Sequence, residues 1–277
     1  MIKRIISRLD IKNNFLVKGL QLEGLRVIGY PETFAKEYYF QNIDEIIFQD
    51  VVASLYKRNQ SKHIVNNITN DIFVPIVVGG GIRTLEDIND ILLHGADRVS
   101  INTQAINNPK FIEESALKFG SSTIAISVEA LKINDEYKIF TDNGRSPSNL
   151  NLYDWVKKIQ DLGAGEIMIT SINNEGTGKG FDLRLVDEVK KICKIPLLAH
   201  GGGGKPDHVL ELFRKTDVDG CILSSAFHYH YIKSIKDNKV LETGSSSFIH
   251  QKEFDDLDCF SIEKLKKYLA ENKINIR

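Results

Sequence analysis

The stretch Pro75-Ile-Val-Val-Gly-Gly-Gly-Ile-Arg83 runs directly into Thr84-Leu-Glu-Asp-Ile-Asn-Asp-Ile-Leu-Leu93. The first part begins with a short apolar, β-branched run typical of a buried strand, and the second part has helical periodicity. Between them, three glycines leave backbone N–H groups uncovered, and Thr84 can cap the helix that follows. Because the N-terminus of a helix attracts anions, this arrangement predicts a phosphate-binding loop.

The same arrangement occurs again 121 residues later, where Pro196-Leu-Leu-Ala-His-Gly-Gly-Gly-Gly204 leads into a second helical pattern. In each copy a further strand follows and ends in two small polar residues, Asn102 and Thr103 in the first copy and Ser224 and Ser225 in the second. Two independent glycine loops are the alternative, but they would not share this order of elements. Since solenoid repeats are shorter, the two copies are expected to be halves of one domain.

Short apolar runs alternate with helical patterns along the whole chain. Strands are expected near residues 5–9, 45–48, 76–78, 98–101, 123–128, 166–169, 196–199 and 220–223. Eight strands separated by helices predict an α/β fold, a single (β/α)8 TIM barrel over residues 1–277 with half-barrels at about 1–120 and 121–277. The polar stretch 20–31 is expected to form a long mobile loop.

Composition excludes several classes of protein. With 36 basic and 37 acidic residues, no global charge favours a nucleic acid or an anionic membrane as partner. The three cysteines are odd in number and lack metal-ligand spacing, so we expect no metal, no cofactor and a reducing compartment. No apolar run approaches the roughly 18 residues of a membrane span, and no leader is evident. We therefore expect a soluble, cytoplasmic protein.

Two carboxylates are candidates for acid/base chemistry. In this fold the chemistry lies where strands end and the following loops begin. Asp10 ends the first strand and Glu129 ends the fifth, half a barrel away, and alternation turns both inward. Such a pair can divide the roles of general acid and general base. For either residue alone, a helix cap or a solvated loop carboxylate stays open as an alternative.

Four charged residues stand at the opposite ends of their strands and also point inward by alternation: Arg4, Glu45, Arg98 and Glu166. They are expected to form one layer of two cations and two anions at the barrel bottom, where alternating charges can neutralise one another. A salt-bridge layer kept for stability alone is an equal alternative, because residues at this end of the barrel usually serve stability.

Further motifs occur together along the chain: Lys3-Arg-Ile-Ile…Leu9-Asp10, Val17-Lys-Gly19, Val78-Gly-Gly-Gly-Ile82, Gly95-Ala-Asp…Val99-Ser-Ile-Asn-Thr103, Gly163-Ala-Gly-Glu166 and Thr170-Ser-Ile172…Gly176-Thr177. With these motifs the chain resembles HisF, the cyclase subunit of imidazole glycerol phosphate synthase, along nearly its whole length. The resemblance implies a lyase-type enzyme of histidine biosynthesis that binds a HisH-like glutaminase at the barrel bottom. Ammonia from the glutaminase would pass through the barrel and react with a phosphoribulosyl aminoimidazole carboxamide ribotide. The products would be imidazole glycerol phosphate and aminoimidazole carboxamide ribotide.

The resemblance also implies roles for individual residues. The acid/base pair would be Asp10 and Glu129. One phosphate of the substrate would be held by Gly81, Asn102 and Thr103, and the other by Gly176, Gly202, Ser224 and Ser225. Further substrate contacts would be made by Lys18 and Thr170. The gate for ammonia would consist of Arg4, Glu45, Arg98 and Glu166, and Asp97 would contact the glutaminase.

The chain departs from the HisF pattern at positions that face the substrate. HisF has aspartate in place of Glu129, which moves the carboxylate by about a methylene, and a misplacement near 1 Å can cost roughly a hundredfold in rate. Other departures are Arg8, Gln49, His200 and the stretch Asn173-Asn-Glu-Gly176, in which the charge of Glu175 is expected to repel phosphate. An insertion is also expected at residues 233–258.

The departures keep two other functions open. One is that of the HisF paralogues associated with surface-polysaccharide genes, which the resemblance links to the delivery of ammonia for an acetamidino group on a nucleotide sugar. The other is a non-catalytic barrel that serves as scaffold or conduit for its partner. In every case except the scaffold, the expected ligand is a phosphorylated small molecule or sugar.

Overall fold

The computed structural model describes residues 2–53, 68–69, 71–235 and 258–277. One sheet contains twelve strands: β1 (Arg4–Lys12), β2 (Phe15–Leu20), β3 (Glu23–Gly29), β4 (Glu45–Asp50), β5 (Ile76–Gly79), β6 (Arg98–Ile101), β7 (Ile124–Ile133), β8 (Glu136–Thr141), β9 (Ser146–Asn151), β10 (Glu166–Ser171), β11 (Leu197–His200) and β12 (Gly220–Leu223). Eight of them pair in parallel around a closed barrel, in the order β1, β4, β5, β6, β7, β10, β11 and β12. The predicted (β/α)8 barrel is confirmed, and each of its strands overlaps a predicted position.

Helices cover the outside of the barrel. In the described part of the chain they are α1 (Pro31–Phe40), α2 (Leu85–Leu93), α3 (Thr103–Asn107), α4 (Lys110–Phe119), α5 (Leu152–Asp161), α6 (Leu183–Lys190), α7 (Pro206–Lys215), α8 (Ser225–Ser234) and α9 (Ile262–Glu271). Helix α2 begins as the sequence predicts, because the Thr84 side chain accepts from the backbone N–H of Asp87 while the Asp87 carboxylate accepts from that of Thr84. Among the described residues, no helix is both long and apolar enough to cross a bilayer.

The prediction of a long loop at residues 20–31 is wrong. Strands β2 and β3 pair as an antiparallel hairpin, and α1 follows directly. Val17 of the hairpin packs on Val51 and Val52 beyond the end of β4, and these distant apolar contacts order a segment whose own composition is polar. The expected insertion at 233–258 lies outside the described residues except at its two ends, since α8 continues to Ser234.

Inward-pointing side chains fill the barrel in layers, as strand alternation requires. The lowest layer contains the four charged residues predicted for the barrel bottom. Above it lies an apolar layer of Ile6, Ile47, Val77, Ala125, Met168, Leu198 and Ile222. A polar layer follows, formed by Arg8, Gln49, Ser127, Thr170 and His200, and the mouth of the barrel carries Asp10 and Glu129. The interior is thus charged, apolar and then polar from bottom to mouth.

Candidate active site

The four charged residues at the bottom form a closed set of ion pairs, here called the charged ring. Arg4 Nη1 lies 3.0 Å from Glu45 Oε2, and its other terminal nitrogen pairs with Glu166. Arg98 Nη1 lies 3.4 Å from Glu45 Oε1 and 2.7 Å from Glu166 Oε2. Burial, together with the neighbouring Glu166, raises the pKa of Glu45. Two cations and two anions therefore alternate in the predicted layer, and each guanidinium bridges both carboxylates.

At the mouth, Asp10 is held by an arginine of its own strand. Arg8 Nε donates to Asp10 Oδ1 at 2.7 Å, and both side chains are buried. Burial alone would lower the pKa of Arg8. The nearby carboxylates of Asp10 and, to a smaller extent, Glu129 have the larger combined effect, so the pKa of Arg8 is raised. The resemblance to HisF had marked Arg8 only as a departure. The structure makes it the direct partner of a predicted catalytic residue.

Glu129, the second predicted acid/base residue, is buried with 4% of its surface exposed. Its Oε2 accepts a hydrogen bond from the backbone N–H of Gly144 at 2.9 Å. Burial raises the pKa of Glu129 to about 7, although Arg8 and the Gly144 hydrogen bond lower it. Asp10 adds a smaller repulsion that raises this pKa, so the two carboxyl groups influence each other. A carboxyl group with a pKa near neutrality can both give and take a proton.

A cavity of about 240 Å³ adjoins Glu129 and is here called the first site. All three residues predicted to hold one phosphate line it: Gly81, Asn102 and Thr103. The hydroxyl of Thr103 donates to Asp142 at 3.3 Å and accepts from its backbone N–H at 3.2 Å. Asn102 Nδ2 donates to the Phe140 carbonyl at 3.3 Å, while its Oδ1 is buried without a partner.

The residues predicted to hold the other phosphate also come together, at what is here called the second site: Gly176, Gly202, Ser224 and Ser225. The cavity between them measures only about 20 Å³, which is room for about one water molecule. Gly180 N donates to the Gly202 carbonyl at 2.7 Å, and Ser224 Oγ donates to the Arg8 carbonyl at 2.9 Å. The second site is therefore much narrower than the first.

Lys18, predicted to bind substrate, is engaged by a protein carboxylate instead. Its ammonium pairs with Glu175, and both side chains are about 1% exposed. Glu175 Oε2 also accepts from the backbone N–H of Leu22 at 2.9 Å. The pair fastens the β2–β3 hairpin to the segment that follows β10. The expected repulsion of phosphate by Glu175 is consequently weakened, because Lys18 compensates its charge.

The remaining predicted residues lie away from both cavities. Thr170 points into the barrel, where its hydroxyl lies 3.1 Å from Nδ1 of His200. Burial, and then the charges of Arg8 and Lys18, lower the pKa of His200 well below its usual value, so its ring is neutral. Asp97 is exposed on the bottom face, and its Oδ2 accepts from the backbone N–H of Ile76 at 2.8 Å.

A closed (β/α)8 barrel with a buried carboxyl group beside a cavity lined by a glycine loop is an arrangement typical of enzymes that bind small molecules at the barrel mouth. In the part of the chain that the structure describes, no group of three or more His, Cys, Asp or Glu side chains is arranged to hold a metal ion.

Comparisons with known proteins specify the family. The profile of the family described as Histidine biosynthesis protein matches residues 4–233. The protein named Imidazole glycerol phosphate synthase subunit HisF from Hydrogenobaculum sp. (strain Y04AAS1) is 39% identical over 276 residues, 99% of this chain and 98% of the relative. Proteins of the same name from Legionella pneumophila and Pyrococcus furiosus are 48% and 41% identical, over 73% and 82% of this chain and 96% and 90% of their own lengths. The chain belongs to the HisF family of histidine biosynthesis proteins. These relatives are each named as one subunit of a synthase.

Proposed function

We propose that this chain is the cyclase subunit of an ammonia-dependent imidazole glycerol phosphate synthase. Its reaction would join ammonia to a phosphoribulosyl aminoimidazole carboxamide ribotide and yield imidazole glycerol phosphate and aminoimidazole carboxamide ribotide. The observation that carries the proposal is the position of Glu129. This carboxyl group is coupled to Asp10 and opens into the cavity lined by Gly81, Asn102 and Thr103.

The two carboxyl groups suit the two kinds of proton transfer that this reaction needs. When ammonia adds to a ketone and the oxygen leaves as water, one group must protonate that oxygen and another must remove a proton from the nitrogen. Glu129 has a pKa of about 7 and is partly protonated at neutral pH, so it can act as the acid. Asp10 lies 2.7 Å from Arg8 Nε, which holds its carboxyl group in place, and we assign it the role of the base.

The partner in this proposal is a glutaminase of the HisH type that docks at the barrel bottom. A concave surface there is lined by Arg4, Arg98 and Glu166, so the charged ring faces outward into it. Ile2 on the same surface is 57% exposed, and Asp97 also lies at this end. A glutaminase placed on this surface would release ammonia directly at the ring. The ring would then act as its gate.

A second candidate function keeps the ammonia route but changes the acceptor to a nucleotide sugar that receives an acetamidino group. Two observations favour it. Arg8 occupies one face of Asp10 at the mouth, and the second site has room for about one water. An acceptor that needs only one phosphate site would fit this mouth without any rearrangement.

The decisive experiment uses the purified barrel, ammonium salts and the phosphoribulosyl nucleotide, with imidazole glycerol phosphate followed by mass spectrometry. Turnover that disappears in the Glu129→Gln variant supports the cyclase. Binding of the nucleotide without turnover supports the second candidate. If the nucleotide neither binds nor reacts, a scaffold or conduit role replaces both enzymatic proposals.

A further inference from the structure

Arg83 lines the first site and has a charge that the described protein does not compensate. Its Nη1 is buried and has no hydrogen-bond partner, and the side chain forms no ion pair with any carboxylate in the described ranges. The Arg83 side chain is half-buried, so its guanidinium keeps part of its hydration while Nη1 is shielded from solvent and has no partner among the described residues. A ligand anion in the cavity would supply a counter-charge for this side chain.

Two backbone N–H groups at the start of helix α2, which follows Arg83, are not free to bind an anion in this site. The Asp87 carboxylate accepts from the backbone N–H of Arg83 at 2.9 Å and from that of Thr84 at 3.0 Å. This capping arrangement already occupies two donors of the helix N-terminus and places a negative charge there. The guanidinium of Arg83 is therefore the main positive group that the α2 end of the cavity can offer to an anion.

The second half of the barrel lacks an equivalent cation. The residue 121 positions after Arg83 is Gly204, whose backbone N–H donates to His208 Nδ1 at 3.2 Å. The buried cation close to the second site is Lys18, and Glu175 neutralises it. The two glycine loops are thus alike in backbone but unlike in charge. Among the residues that line the two cavities, the first site includes a cation without an ion-pair partner in the described ranges, and the second site includes no Lys or Arg.

We propose that Arg83 is a substrate-binding residue that holds a phosphate monoester in the first site, which is thereby the stronger of the two phosphate sites. The assignment of that phosphate to the substrate rests on the proposed function. A planar guanidinium can donate two parallel hydrogen bonds to phosphate oxygens, a geometry that an ammonium cannot reproduce. Asn102 and Thr103 line the same cavity, so the site offers a cation for phosphate beside polar side chains.

The test measures the binding of inorganic phosphate by titration calorimetry at fixed ionic strength, without any turnover. Arg83→Gln should weaken binding by about ten- to a hundredfold, the range for a hydrogen bond to a charged group. Arg83→Lys keeps the charge but not the planar donors, so its phosphate affinity should lie between those of the wild type and Arg83→Gln. The matched control is Lys205→Gln, which removes an exposed cation from the equivalent loop of the other half and should change binding by less than about twofold.

Thermal unfolding and a crystal structure with phosphate complete the test. Because the Nη1 of Arg83 has no partner, Arg83→Gln should leave the melting temperature of the ligand-free protein unchanged or raise it, whereas a purely structural arginine would lower it. In the wild type the anion should lie about 3 Å from a guanidinium nitrogen of Arg83. Unchanged phosphate affinity in Arg83→Gln, no saturable binding by the wild type, or an anion at the second site alone would each overturn the proposal. None of these outcomes depends on turnover, so failure of the proposed cyclase activity is detected separately.

Discussion

Replacement of Glu129 by glutamine should abolish turnover and at the same time stabilise the protein above neutral pH. Glu129 is buried, and its pKa is raised from 4.5 to about 7. A carboxyl group whose pKa is higher in the folded state binds its proton more tightly there. Its stabilising contribution is complete below pH 4.5 and is lost as the pH rises to about 7. Glutamine keeps the shape and can still accept from Gly144, but it carries no charge to bury.

The size of the effect follows from the two pKa values. With this pKa shift, the wild type should lose about 2 kcal/mol of folding free energy as the pH rises from about 5.5 to about 8. The glutamine variant should not show this loss. For a domain somewhat larger than 200 residues, that corresponds to a difference in melting temperature of roughly 4 to 8 °C. Removal of a general acid should lower kcat by about a hundredfold or more.

The assay is thermal unfolding of the wild type and Glu129→Gln at both pH values, with ammonium-driven turnover measured on the same preparations. Glu136→Gln on β8 is the matched control, because its side chain is 73% exposed and its replacement should change neither stability nor its pH dependence noticeably. A difference in stability that does not grow with pH would refute the buried, proton-binding state of Glu129. Turnover within a few-fold of wild type would remove it from the mechanism.

Three further substitutions address other parts of the site. Asp10→Asn keeps the shape of the side chain but removes the proposed base, so turnover on the true acceptor should be lost. Glutaminase binding, measured by calorimetry, should be retained. Activity within a few-fold of wild type would contradict this prediction. Glu166→Gln leaves the charged ring with excess positive charge. It should lower the glutamine-driven activity of the complex more than the ammonium-driven activity. Equal losses of the two activities would mean that the ring is a structural layer. Lys18→Met leaves the buried charge of Glu175 without its cation and should cost about 3–5 kcal/mol in urea unfolding. The double variant with Glu175→Gln should recover most of that loss.

The barrel and its charged ring could be predicted from the sequence because they depend on periodicity alone. Once Ile6 and Ile47 are placed inside by alternation, Arg4 and Glu45 must follow on the same side of their strands. Prediction of the charged ring therefore requires no knowledge of side-chain conformation. The glycine loop and the cap at Thr84 are equally local, since a helix start is set by the residues next to it.

Partnerships between side chains far apart in the chain could not be predicted in this way. Lys18 and Glu175 are separated by 157 residues, and nothing in either local pattern indicates that one neutralises the other. Arg8 and Asp10 are only two residues apart, but the sequence indicated a role for Asp10 alone and marked Arg8 only as a departure from the HisF pattern. Arg83 ends the glycine motif in the sequence. Only the structure shows that it lines the cavity and that its charge has no ion-pair partner among the described residues.

The order of layers in the barrel gives the proposed ammonia route a chemical direction. Ammonia that enters at the charged ring meets cations and anions that neutralise one another, and then the apolar layer around Ile47 and Met168, which offers no hydrogen bonds. Ammonium would lose far more hydration there than neutral ammonia does, so this layer favours the uncharged, nucleophilic form. Polar side chains return only at the level of Arg8, and the two carboxyl groups proposed to exchange protons lie beyond it. Proton transfer is thereby confined to the mouth, which is why Glu166→Gln and Asp10→Asn should affect nitrogen delivery and chemistry separately.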